Sequence, residues 1–129
     1  MSEIKYKIVT LAKAGVAGGA DYQYYPRIHQ REKINLRQLA QRISKKSSFT
    51  TADVFGILEA LIEEIPELVL SNHSVHLNDL GTFSLHIKAN ASNSPGEVNE
   101  QKIKQLKLAF RPSKYIKQSL KQARFTKSD

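Results

Sequence analysis

The sequence contains no cysteine, which excludes disulfides, thiolate metal sites and cysteine nucleophiles, and fits an intracellular protein without requiring one. It also lacks any long apolar run. The least polar stretch near the start, Ile8 to Ala20, is interrupted by Lys13 and by the adjacent Gly18 and Gly19, so neither a secretory signal core nor a membrane span is expected. Gly15, Gly18 and Gly19 are followed by no Gly-Lys-Ser/Thr and by no immediate helical pattern, so they are expected to form a flexible connection rather than a phosphate loop.

Positive charge is what the sequence does have. At 129 residues the chain suits a single core, and 20 lysines and arginines against 12 acidic residues give a formal charge of +8. Such an excess favours an anionic partner, nucleic acid or a membrane surface. It is unevenly placed. Residues 101 to 129 hold nine basic groups and one acid, whereas residues 71 to 100 hold one basic group and three acids.

Hydrophobic periodicity changes along the chain. Residues 4 to 11 alternate, with Ile4, Tyr6 and Ile8 on one side, as a half-buried strand requires. Tyr22 to Pro26 suits a second short extended segment. From Asn35 the spacing of Leu36, Leu39, Ala40 and Ile43 becomes helical, with Asn35 and Gln38 in capping positions. A second helix starts at Thr50, with Asp53 as capping partner and Phe49 and Val54 as a staple, and its apolar stripe runs through Ile57, Leu58, Leu61, Ile62, Ile65, Leu68 and Val69. Pro66 is expected to kink that helix or thin its last turn. Alternation returns at Val75 and Leu77, turns at Asn78 to Gly81, and continues at Phe83, Leu85 and Ile87. Asn90 to Glu100 has no apolar period and reads as a long connection or arm tip. A third strand through Leu106, Leu108 and Phe110 leads to a last helix, with Pro112 in its first turn and Ile116, Leu120 and Ala123 facing inward. The apolar surface of the second helix and the three strands exceeds what one small layer covers, which implies a dimer.

This order resembles the HU and integration host factor family of bacterial histone-like proteins over about residues 35 to 124. The segments that carry the resemblance are Leu80-Gly81-Thr82-Phe83, Phe49-Thr50-Thr51-Ala52-Asp53, and Phe110-Arg111-Pro112-Ser113-Lys114. It implies an α+β fold: an intertwined homodimer in which each subunit has a helical hairpin, a three-stranded antiparallel sheet with a β-arm, and a C-terminal helix. Residues 1 to 34, which include Lys5-Tyr6-Lys7, resemble the N-terminal strand extension of the longer HU-like proteins of Bacteroidetes-type bacteria. Residues 125 to 129 are left as a tail.

The resemblance implies a cytoplasmic, nucleoid-associated protein without enzymatic activity or cofactor. It would bind double-stranded DNA largely independently of sequence and bend or compact it. Lys114, Lys117, Lys121 and Arg124 recur at helical spacing, Lys102, Lys104 and Lys107 lie on the returning strand, and Lys88 stands at the base of the arm. All eight are expected to contact phosphates. Pro95 stands roughly where the family's arm carries an intercalating proline. It has no arginine around it, Glu97 and Glu100 follow it, and a turn role is the commoner use of such a proline. That acidic tip supports the alternative of an HU-like protein-interaction or scaffold module.

Other constellations are weaker. His76 and His86 suit adjacent strands, but neither His29 nor His73 completes a zinc ligand set by spacing, so no metal is expected. Glu59, Glu63, Glu64 and Glu67 suit a solvated helix face. Tyr22, Tyr24 and Tyr25 could stack single-stranded bases, although packing is the commoner fate of such aromatics.

Overall fold

In the computed structural model, which describes residues 3–12 and 22–128, the elements follow the order β1 (Ile4–Ala12), β2 (Tyr22–Ile28), α1 (Leu36–Lys45), α2 (Thr51–Leu70), β3 (Val75–His76), β4 (Gly81–Ala89), β5 (Ile103–Pro112), α3 (Lys114–Leu120) and β6 (Phe125–Lys127). Two short 3₁₀ turns, Pro95–Glu97 and Glu100–Lys102, lie between β4 and β5. The chain forms two compact units, Met1–Lys33 with Ser119–Asp129, and Ile34–Gln118.

In the second unit, side chains fix both starts of the helical hairpin. Asn35 Oδ1 accepts from the Gln38 N–H at 2.8 Å while Gln38 Oε1 accepts from the Asn35 N–H at 2.9 Å, a complete capping box. Thr50 Oγ1 accepts from the Asp53 N–H at 3.1 Å at the head of α2. Thr50→Ala is therefore expected to lower stability by about 1 kcal/mol, read as a lower urea midpoint at unchanged slope. The helix runs on through Pro66 to Leu70. The ring removes the N–H that would otherwise bond the Ile62 carbonyl, yet another turn of helix follows it.

The buried apolar residues among those described are Ala40 on α1 and Val54 and Val69 on α2. Elsewhere in the stripe Leu58, Leu61 and Ile65 are half-buried, whereas Ile57 is 60% exposed and Ile62 is 57% exposed. Among the described residues nothing covers these two.

β4 lies between β3 and β5, antiparallel to both. Cross-strand partners share a face, so the register separates two rows. Phe83–Phe110, Leu85–Leu108 and Ile87–Leu106 form an apolar face, and Thr82–Arg111, Ser84–Ala109, His86–Lys107 and Lys88–Gln105 form a polar one. The Phe83 and Phe110 rings pack with centroids 4.8 Å apart. Ala89 pairs with Ile103 next to the Lys88–Gln105 pair, leaving Lys104 as the extra residue of a bulge.

The turn into β4 depends on Gly81. The Leu77 N–H donates to the Gly81 carbonyl at 2.8 Å, and Gly81 itself takes φ +148°. A Cβ there would press into the Arg111 carbonyl oxygen and lie 2.9 Å from the Phe110 ring.

Two expectations about the last helix are corrected. Pro112 ends β5 opposite Gly81 and does not enter the helix; Ser113 caps α3, its Oγ accepting from the Ile116 N–H at 3.2 Å and donating to the Asp79 carbonyl. The helix stops at Leu120, which is 63% exposed rather than inward, and Ala123 lies beyond it. The Gln122 and Ala123 N–H groups bond the Ser119 and Leu120 carbonyls, a three-residue step that tightens the chain out of the helix.

In the first unit, β1 pairs antiparallel with β2 and parallel with β6. Residues 125 to 127, expected as part of a tail, are thus a strand. The Ile4 N–H donates to the Arg124 carbonyl at 2.8 Å and the Ser128 N–H to the Tyr6 carbonyl at 2.7 Å. Thr126 Oγ1 also donates to the Glu3 carboxylate. The expected glycine connection lies outside the described residues.

Candidate nucleic-acid interface

The β4–β5 ladder positions the sequence-predicted cations most definitely. Strand alternation places Lys88 and Lys107 on its polar face, and both are exposed. His86 lies directly opposite Lys107, its Nε2 within 3.2 Å of Ser84 Oγ. His76 extends the face onto β3, with Nδ1 2.8 Å from Thr82 Oγ1. Lys104 occupies the bulge. Lys102 ends the second 3₁₀ turn, partly buried, and its carbonyl accepts from the Asn90 N–H at 3.0 Å, which holds the base of the ribbon together.

Sequence reasoning missed one residue of this face. Arg111 lies opposite Thr82, exposed, in the same row as Lys107. They are four strand positions apart, about 13 Å at the rise of a β-strand. The period of two through Lys107, Ala109 and Arg111 was the available signal, but Arg111 reads first as part of the lead-in to α3.

The four-residue basic stripe is only half helical. Lys114 and Lys117 lie on α3, whereas Lys121 lies in the turn after it and Arg124 in the segment leading to β6. The first pair belongs to the second unit and the other pair to the first. None of the eight expected cations forms an ion pair with another described residue.

At the arm tip, Pro95 is exposed and opens the first 3₁₀ turn, its carbonyl accepting from the Val98 N–H at 3.2 Å. Glu97 and Glu100 are exposed beside it, and Val98 between them is 63% exposed. Among the described residues, no group of three or more His, Cys, Asp or Glu is placed to hold a metal, and no helix is long and apolar enough to cross a membrane.

The arrangement is a short antiparallel ribbon, apolar on one face and cationic on the other, beside a helical hairpin. Two solved structures are similar to it. A crystal structure from Bacteroides vulgatus, of a protein described as a candidate bacterial DNA-binding protein, aligns with a TM-score of 0.67 over 98% of this chain at 12% identity. The chain spans about half of that structure, 49% of its length. The HU of Anabaena, in a cocrystal with DNA, aligns with a TM-score of 0.53 at 23% identity over 67% of this chain and 97% of its own. At these identities the likeness establishes an HU-like α+β fold. Among curated proteins, none matches the chain by sequence. The model of the HU-HIG family, described as an HU domain fused to wHTH, Ig, or glycine-rich motif, matches residues 1–127. The chain belongs to the HU-HIG family.

Proposed function

We propose that this protein is a homodimeric, non-enzymatic architectural protein of the bacterial nucleoid that binds double-stranded DNA largely without regard to sequence. The observation that carries this reading is the exposed cationic row of Lys88, Lys107 and Arg111 on the polar face of the β4–β5 ladder, with no ion-pair partner among the described residues. Flexible cations on a rigid ribbon hold phosphates without reading bases. The DNA in the Anabaena HU cocrystal supports the same role for a related fold. Lys102, Lys104, Lys114, Lys117, Lys121 and Arg124 add further phosphate contacts, and residues 35 to 124 are the DNA-binding domain, with 1 to 34 as its extension.

The dimer follows from an energetic imbalance. Ordering each residue costs about 1–2 kcal/mol of backbone entropy, and three buried apolar side chains do not offset that over more than a hundred residues. A second copy laid over Ile57, Ile62, Ile87 and Leu108, each more than half exposed, closes the core of both, in the manner of intertwined HU subunits. In this reading Pro95, exposed at the arm tip, acts as a wedge between base steps and so bends the duplex.

Fluorescence anisotropy with a random duplex tests the reading. Between about 50 and 200 mM salt, affinity should fall at least a hundredfold if four or more phosphates are neutralised. The exposed Val98 between two carboxylates favours a second reading, a protein-interaction module, and salt-insensitive or undetectable duplex binding would decide for it.

A further inference from the structure

The first unit carries a face that duplex binding leaves unused. Tyr6 pairs with Ile28, Ile8 with Pro26 and Thr10 with Tyr24 across β1 and β2, while Ile4 pairs with Phe125 and Tyr6 with Lys127 across β1 and β6. These residues, with Tyr22 two positions before Tyr24, therefore share one side of the sheet. A soluble sheet ordinarily hides such residues, yet Tyr24 is 69% exposed, Phe125 65% and Tyr22 54%. Two adjoining depressions run along this part of the unit, both lined by Tyr6 and Pro26, one reaching Arg27 and Phe125 and the other Tyr24.

Charge indicates what covers the face. Residues 1–33 and 119–129 carry nine lysines and arginines against four acids, a net +5. Lys127 stands in the same row as Tyr6, and Arg124 precedes Phe125. Polar-tipped aromatic rings among cations suit an anionic partner with flat apolar groups better than an aliphatic protein surface. Spacing narrows the choice further. Tyr22 and Tyr24 lie about 6.6 Å apart along β2, roughly twice the 3.4 Å rise of a strand within a duplex. Bases can meet successive rings only when they are unstacked.

We propose that this face is a second nucleic-acid site, a stacking platform for single strands on which bases lie against Tyr22, Tyr24 and Phe125 while Lys127 approaches the phosphates. Stacking on side chains of this kind is tolerant of sequence, and the site is independent of the cationic row on the β4–β5 ladder.

The test uses the full chain with fluorescein-labelled oligo(dT) and with a duplex of equal length, by anisotropy. Tyr24→Ala and Tyr22→Ala should each weaken oligo(dT) binding roughly tenfold or more and leave duplex affinity unchanged. Tyr24→Phe, which keeps the ring, should bind oligo(dT) like the parent chain. Circular dichroism and sedimentation of each variant check folding and assembly. The proposal is overturned if the folded chain binds duplex but not oligo(dT), or if the alanine variants bind oligo(dT) undiminished. It is equally overturned if polyglutamate displaces oligo(dT) at equal charge, which marks simple polyanion exchange, or if Tyr24→Ala alters the oligomeric state, which marks a second copy on the face. Loss of duplex binding alone counts against the DNA-binding proposal above and leaves this one standing.

Discussion

Gly81→Ala is expected to destabilise the protein by about 2–5 kcal/mol, read from urea denaturation at matched protein concentration. Two costs combine at this position. At φ +148° the backbone lies where a residue with a Cβ is strained by roughly 1–3 kcal/mol. The added methyl also meets the Arg111 carbonyl oxygen and the edge of Phe110. A flexible side chain could swing aside, but the carbonyl belongs to the strand paired with β4 and cannot move without breaking the Gly81–Pro112 and Thr82–Arg111 pairs. The damage would spread, because Phe110 packs on Phe83 and the same turn holds Leu77 and Ser113 through backbone bonds. A loss below 0.5 kcal/mol would mean that the turn relaxes freely and that Gly81 does not set the register.

Replacing Lys88, Lys107 and Arg111 together by alanine is expected to weaken duplex binding by a few hundredfold at about 0.1 M salt. Each phosphate contact contributes about 0.9 to the slope of log affinity against log salt, or about eightfold at that concentration. Three contacts lower the slope by about 2.7. The loss should be equal for unrelated sequences, since phosphate contacts carry no base information. All three residues are exposed on the polar face, so folding should survive and circular dichroism should be unchanged. An unaltered salt slope would remove the ladder from the DNA interface and leave the cations of α3 and the C-terminal segment to account for binding.

The parts of the fold that were legible from sequence are those determined within a few residues. Asn35 and Thr50 announce their helices because each cap bonds a backbone group three residues away. The alternation of β4 and β5 and the turn at Gly81 were equally local. What was illegible depends on distant partners. The end of α3 and the strand Phe125–Lys127 are tied to pairing with Ile4 to Tyr6 at the far end of the chain, and three residues are too few to show a period. The basic stripe beyond Lys117 failed for the same reason, because helical spacing continued in the sequence after the helix had stopped. The stripe through Ile57 and Ile62 was legible as more apolar surface than one layer covers, but periodicity identifies an apolar stripe and not the molecule that buries it. Within the candidate site, Lys88 and Lys107 were found by charge and strand position, while Arg111 required the register.

The parallel pairing of β1 with β6 also sets an order in time. Ile4 and Phe125 are about 120 residues apart, whereas the partners in the α1–α2 hairpin and the β4–β5 ribbon are far closer along the chain. Contacts between distant segments form slowly because a long loop must be closed first. During synthesis β1 emerges before β6 and acquires that neighbour only after about 120 further residues have been made. Until then one edge of β1 is unpaired, open to another strand of the same sequence. A nascent or truncated chain ending before Phe125 would therefore be prone to strand exchange and aggregation through β1.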